Sequence, residues 1–223
     1  MTEYQKKLIS TLSPTERATL KKLSTPIKIQ DFLDHFPENF APIGDPIQNP
    51  SQVLATKKAH CIEGAVLAAA ALAYHGKQPL LIDLRSAAYD LDHVIAPFQQ
   101  NGYWGAISKT NYPVLRWRDP VYKTVRELCM SYFHEYFWPL NDRNGGRKTM
   151  LEYSKPFSLT AYHPKKWWSG GDLDWLGERL DTVPHYPALP KDQEKFLRKA
   201  NKIEIKAAGL MEWPEPRAKK KRK

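Results

Sequence analysis

The chain has 223 residues, 42% of them hydrophobic and 26% charged, with a formal charge of +10 at pH 7. That length holds one domain with additions, or two small ones, and the composition is ordinary for a soluble globular protein. The longest apolar run, Ala65 to Tyr74, falls far short of the ~18–20 residues of a membrane span, so a membrane-spanning chain is excluded as an expectation.

The start, MTEYQKKLIS, has no apolar leader, and a cytoplasmic location is expected. The two cysteines, Cys61 and Cys129, are then expected as free thiols. The last seven residues, Arg217 to Lys223, carry six positive charges and leave only +4 on the other 216. Such a run is a solvated end that attracts anionic partners, nucleic acid among them, without sequence preference.

Residues 1–24 read as short polar helices. Ser13 suits an N-cap, with Pro14 at the first helical position and Glu16 at the third. Thr25-Pro26 opens a second helical stretch, with Ile27, Ile29, Phe32, Leu33 and Phe36 as its apolar positions. Four prolines between Pro37 and Pro50 mark a loop, and Ser51 to Leu54 opens a short helix. Cys61 then heads a helix rich in alanine. Being apolar on nearly all faces, that helix belongs in the core. Gly76 provides its left-handed stop.

Strands are expected over Pro79–Leu84, His93–Phe98 and Tyr103–Ile107, with Asn101-Gly102 as a tight turn between the last two. Val114–Arg118 reads as one more strand. Asp119-Pro120 then reads as the cap of a helix from Val121 to Tyr136. Beyond residue 141 the pattern weakens. Tyr153–Tyr162 could hold a strand, Asp172 could cap a helix to Leu180, and Asp192–Ala208 reads as a lysine-rich helix. Helices first, then antiparallel strands, then a helix make an α+β protein.

The chemistry centres on Cys61 and His93. A cysteine in the first turn of a helix faces the positive end of the macrodipole, which favours the nucleophilic thiolate. His93 is the natural general base, and such partners meet in space rather than in sequence. With a two-residue turn at Asn101-Gly102, paired residue numbers sum to 203. His93 then lies opposite Thr110, with Ser108 a diagonal neighbour on the same face. Ser108, Thr110 and Asn111 are the short polar candidates for orienting the imidazole; none is an aspartate.

The residues H-C-I-E-G-A at 60–65, Gly76, L-L-I-D-L-R at 80–85, D-H-V-I at 92–95 and Y-W-G-A-I-S at 103–108 together resemble the core of the transglutaminase-like branch of papain-type thiol enzymes. The resemblance covers about a third of the chain. It implies Cys61 as nucleophile and His93 as base, and it puts Ser108 where the family commonly has aspartate. It implies acyl transfer or hydrolysis at an amide of a peptide or small molecule, with no cofactor. The alternative is an inactive member of that fold used as a binding module, contacting an anionic partner or nucleic acid through its basic tail.

The expected division is an N-terminal helical extension (1–24), a transglutaminase-like core (25–140), an aromatic and proline-rich extension packed on it (141–216) and the basic tail (217–223). His60, Cys61, Glu63 and His75 lack recognisable metal-ligand spacing, and Glu63 suits the dipole of the helix it opens. Trp167 and Trp168, next to Lys165 and Lys166, are read as half-buried anchors, with base stacking as the sharper alternative. Oligomeric state is left open by the sequence.

Overall fold

The computed structural model describes residues 1–40, 44–140 and 142–214. The chain opens with α1 (Glu3–Thr11), α2 (Pro14–Lys22) and α3 (Pro26–Asp34). At the head of α2 the expected capping box is present: Glu16 N–H donates to Ser13 Oγ at 3.3 Å, and Ser13 N–H donates to Glu16 Oε2 at 2.7 Å. Thr25 caps α3, whose buried face carries Pro26, Ile29, Gln30 and Leu33 at helical spacing. One of those four is polar, and its role emerges at the site.

After α4 (Pro50–Thr56) comes α5 (Cys61–Tyr74). Every residue from Ile62 to Ala73 on α5 is buried. That matches a helix whose small side chains let neighbours close in on all sides. Gly76, at φ +81°, turns the chain out of it.

The strands follow as β1 (Leu80–Ser86), β2 (His93–Gln100), β3 (Tyr103–Ile107) and β4 (Arg118–Tyr122), then α6 (Val125–Phe133), β5 (Met150–Ser154) and β6 (Phe157–Ser158). The chain ends with α7 (Pro164–Trp168), α8 (Asp174–Thr182), β7 (His185–Pro187) and α9 (Lys202–Ala208). Among the described residues the strands make one seven-stranded antiparallel sheet, ordered β4-β3-β2-β1-β5-β7, with β6 beside β1. The fold is thus mixed helix and antiparallel sheet, and residues 150–187 supply three of its strands.

The β2–β3 register runs from Gln100↔Tyr103 to Ala96↔Ile107, each pair summing to 203. Asn101 (φ 52°) and Gly102 (φ 83°) form the turn that sets it.

Alternation along the strands divides the apolar side chains between two clusters. Leu81, Val94, Ala96, Phe98 and Ile107 pack with α5 and the N-terminal helices. Ile82, Leu84, Ile95 and Ala106 pack with Leu128, Tyr132 and Phe133 of α6. Trp167 and Trp168 lie fully inside the first cluster, with their indole N–H groups donated to Tyr4 Oη and Glu16 Oε1. That burial leaves no ring face for nucleobase stacking.

Three local expectations are corrected. The stretch from Val114 is not a strand: Pro113–Leu115 is a 3₁₀ turn and β4 starts only at Arg118. Asp119-Pro120 does not cap α6 but lies inside β4, an edge strand where the missing proline N–H is tolerated. Thr124 caps α6 instead, its Oγ1 accepting from Glu127 N–H at 3.1 Å. The lysine-rich stretch from Asp192 breaks into a 3₁₀ segment, Lys191–Phe196, and α9, because residues 191–199 bury nothing that would hold a long helix. The expected basic tail, 217–223, lies outside the described residues.

Candidate functional site

Cys61 is the first residue of α5 and keeps part of its surface exposed. Its Sγ lies 3.9 Å from the carbonyl of Asp92, so the thiol meets the backbone at the start of β2. The expected lowering of the thiol pKa is overturned. Burial pushes it up to about 11, and the Glu38 and Asp83 charges add to the rise, outweighing the Val94 and Ile62 N–H groups that favour the thiolate. Cys129 lies on α6 in the second cluster, fully buried, with its thiol pushed up to about 12 by burial.

His93 opens β2 on the face that Ile95 shares, with its ring 6.4 Å from that of Tyr132 on α6. Helix α5 covers the opposite face. Cys61 thus meets the backbone on either side of His93, at the Asp92 carbonyl and the Val94 N–H, while the imidazole lies on the other face, and among the described residues no hydrogen bond joins the sulfur to the imidazole. Burial and the Arg118 guanidinium pull the imidazole down to about 4.

Of the three candidates for an orienting group, the structure brings Ser108 to His93. Ser108 Oγ lies 2.7 Å from His93 Nε2 and donates to the Leu115 carbonyl at 2.9 Å. With the Ser108 proton given to that carbonyl, Nε2 is the nitrogen that donates to Ser108; the ring's own bond to the Leu115 carbonyl favours the protonated form and is outweighed by burial and Arg118. Thr110 Oγ1 accepts from Tyr112 N–H at 3.1 Å. Asn111 spends its amide on Trp213, donating to the carbonyl at 2.9 Å and accepting from the N–H at 2.8 Å.

Several residues of the site were not singled out in the sequence. Gln30 holds both sides of the Ser108 peptide: Ser108 N–H donates to Gln30 Oε1 at 2.9 Å, and Gln30 Nε2 donates to the Ser108 carbonyl at 3.0 Å and to Asp34 Oδ1 at 2.8 Å. The available signal was a glutamine at a core spacing of α3. Asp83 lies on the α5 face, paired with Val94, and its carboxylate is 3.1 Å from His185 Nε2. The signal there was a lone aspartate inside Leu80-Leu81-Ile82-Asp83-Leu84. Burial raises Asp83 to about 6 against the lowering effect of His185.

Glu38 and Lys109 form a buried pair, Nζ to Oε2 3.8 Å, and among the described residues neither of these two atoms has a hydrogen-bond partner. Burial raises Glu38 to about 7 and lowers Lys109. Nothing in the pattern around Lys109 marked it as buried.

Glu63 is fully buried. It accepts from Asn39 Nδ2 at 3.1 Å, from Gln48 N–H at 2.9 Å and from His60 N–H at 2.9 Å, with His60 Nε2 at 3.3 Å. It thus closes the loop before α5 onto the helix head. His75, at the other end of α5, bonds to the Leu20 carbonyl at 2.9 Å, so His60, Cys61, Glu63 and His75 do not converge.

Carboxylate oxygens of Asp83, Asp92 and Asp181 lie within 4.8 Å of one another. Asp92 is already engaged with Ser86, from N–H at 2.7 Å and from Oγ at 3.1 Å, which fixes the turn leading into His93. Among the described residues no helix is long and apolar enough to cross a membrane. A scan against models of known families finds no match to this chain, and a search of curated proteins finds none either.

Proposed function

We propose that the chain is a transglutaminase-like thiol enzyme acting on an amide, with Cys61 as nucleophile, His93 as base and Ser108 as the group that orients the base. The observation that supports it is the Ser108 bridge, which fixes the His93 imidazole through Nε2 at 2.7 Å, on the residue adjoining the carbonyl that Cys61 touches. The order of a Cys-headed core helix, a strand, a His-headed strand and its hairpin partner supports the same fold reading.

In this reading the resting pair is neutral. The Cys61 proton passes to His93 Nδ1 as sulfur attacks the carbonyl carbon. The C–N bond then breaks, the amine leaves with the proton from Nδ1, and water or a second amine takes the acyl group from the thioester. The N–H groups of the first turn of α5 have no carbonyl one turn back and are donors for the developing oxyanion.

The test is alkylation of Cys61 by iodoacetamide across pH 6–9, with Cys129 as internal control. Cys61 is expected to react at least tenfold faster than Cys129 at pH 7, and His93→Gln is expected to slow Cys61 at least tenfold while leaving Cys129 unchanged. Equal rates for the two thiols, or no effect of His93→Gln, overturn the reading.

A second reading is a binding module on the same fold without catalysis. It is favoured by a thiol pushed up to about 11 beside an imidazole pulled down to about 4, with no hydrogen bond between them among the described residues. It predicts that His93→Gln leaves the Cys61 rate unchanged, the outcome that overturns the first.

A further inference from the structure

The loop between β3 and β4 carries both groups that fix His93: Ser108 at its start and the Leu115 carbonyl near its end. Asn111, 5% exposed, stands between them. Its amide fits the main chain of Trp213 with one bond given and one received, and its carbonyl accepts from Glu212 N–H at 3.1 Å. Both functional ends of a buried amide are thus spent on one residue 102 positions away.

Arg116 extends the contact. Its guanidinium meets the Glu212 carboxylate, lies 4.0 Å from Asp34 Oδ1 and donates from Nε to the Thr110 carbonyl at 3.2 Å. Asp34 in turn accepts from Gln30, which grips the Ser108 peptide. The contacts close a ring: Ser108, Gln30, Asp34, Arg116, Glu212, Asn111 and back along the loop to Ser108.

We infer that the Glu212–Trp213 segment is a strap that positions His93 through this loop, with Asn111 and Arg116 as positioning residues for the proposed site. The strap completes a loop whose own turn is short: a 3₁₀ segment of three residues, with no ladder bonds of its own. The strap rests on the catalytic reading only for its consequence at Cys61; its effect on His93 is read directly.

The experiment uses the full chain, labelled with ¹⁵N, and records the imidazole nitrogens of His93 in the wild type and in Glu212→Ala, Asn111→Ala and Arg116→Lys. The wild type is expected to show a single Nε2–H tautomer with slow exchange of that proton. Glu212→Ala and Asn111→Ala are expected to give a mixed tautomer signal and exchange at least tenfold faster, and Arg116→Lys, which keeps the charge, a smaller change in the same direction. Unchanged His93 signals in Glu212→Ala, a surface change that leaves the core intact, overturn the strap, and so do unchanged signals in a folded Asn111→Ala. Cys61 alkylation on the same samples separates the two ideas: a response of His93 without any change at Cys61 keeps the strap and counts against the thiol reading.

Discussion

Ser108 Oγ sits 2.7 Å from His93 Nε2 with its proton directed to the Leu115 carbonyl, so the imidazole donates to a hydroxyl rather than to a carboxylate. A neutral acceptor holds the ring in one tautomer without stabilising its protonated form. Ser108→Ala orphans a buried N–H and is expected to cost about 1–3 kcal/mol in urea unfolding. Ser108→Asp is expected to raise the His93 pKa and the reactivity of Cys61 together, because a carboxylate favours the imidazolium. An NMR titration that shows no upward movement of His93 in that variant counts against the assignment.

His93 makes stability depend on acid. Its pKa is near 4 when folded, through burial and the Arg118 charge, against about 6.5 when unfolded. A base with a depressed folded pKa stabilises the native state above the unfolded value, and that contribution is lost as pH falls from about 6.5 through 4. At ~1.4 kcal/mol per unit the loss comes to about 3 kcal/mol. Urea midpoints measured from pH 7 to pH 4 should fall more steeply for the wild type than for His93→Gln.

Gly64 is a position where helix propensity and packing oppose each other. Alanine is favoured over glycine by about 1 kcal/mol inside a helix. A Cβ at Gly64, however, would stand 2.4 Å from Lys109 Cβ, the root of a buried side chain that cannot swing away. Gly64→Ala is therefore expected to destabilise by about 1–3 kcal/mol, as overpacking does. A gain in thermal midpoint would show that Lys109 has more room than the structure gives it.

The Glu38–Lys109 pair is buried at 3.8 Å without a hydrogen bond at those two atoms among the described residues. Lys109→Met alone leaves Glu38 without its counter-charge, and Glu38→Gln alone leaves the ammonium. Each is expected to cost about 3–5 kcal/mol, and the double variant less than the sum. A double-mutant cycle with coupling below ~0.5 kcal/mol would mean the two groups do not sense each other.

Much of this fold was legible because local rules agreed with tertiary packing. The capping box at Ser13, the alanine-rich α5 and the Asn101-Gly102 turn each encode their geometry in adjacent residues. The turn alone fixed a register that put Ser108 near His93. The errors fell where the deciding contact is remote. Pro120 reads as a helix start until β4 is known to be a sheet edge. Asp192–Ala208 reads as one helix until it is clear that nothing covers its first half. Gln30 and Asn111 were legible as polar residues but not in role, because their partners lie 78 and 102 residues away. The helix dipole at Cys61 was read correctly in sign but not in weight: desolvation, which depends on the whole fold, outweighs it.

The two ends of the sheet carry a further consequence. Both outer strands, β4 and β7, contain a proline, Pro120 and Pro187, and β7 is only three residues long. A proline interrupts the row of donors that a foreign strand would need for docking. Neither margin therefore offers a template for growth by strand addition, the route by which exposed sheets nucleate fibres. Among the described residues, the two ends of the β4-to-β7 path are thereby blunted against templated aggregation.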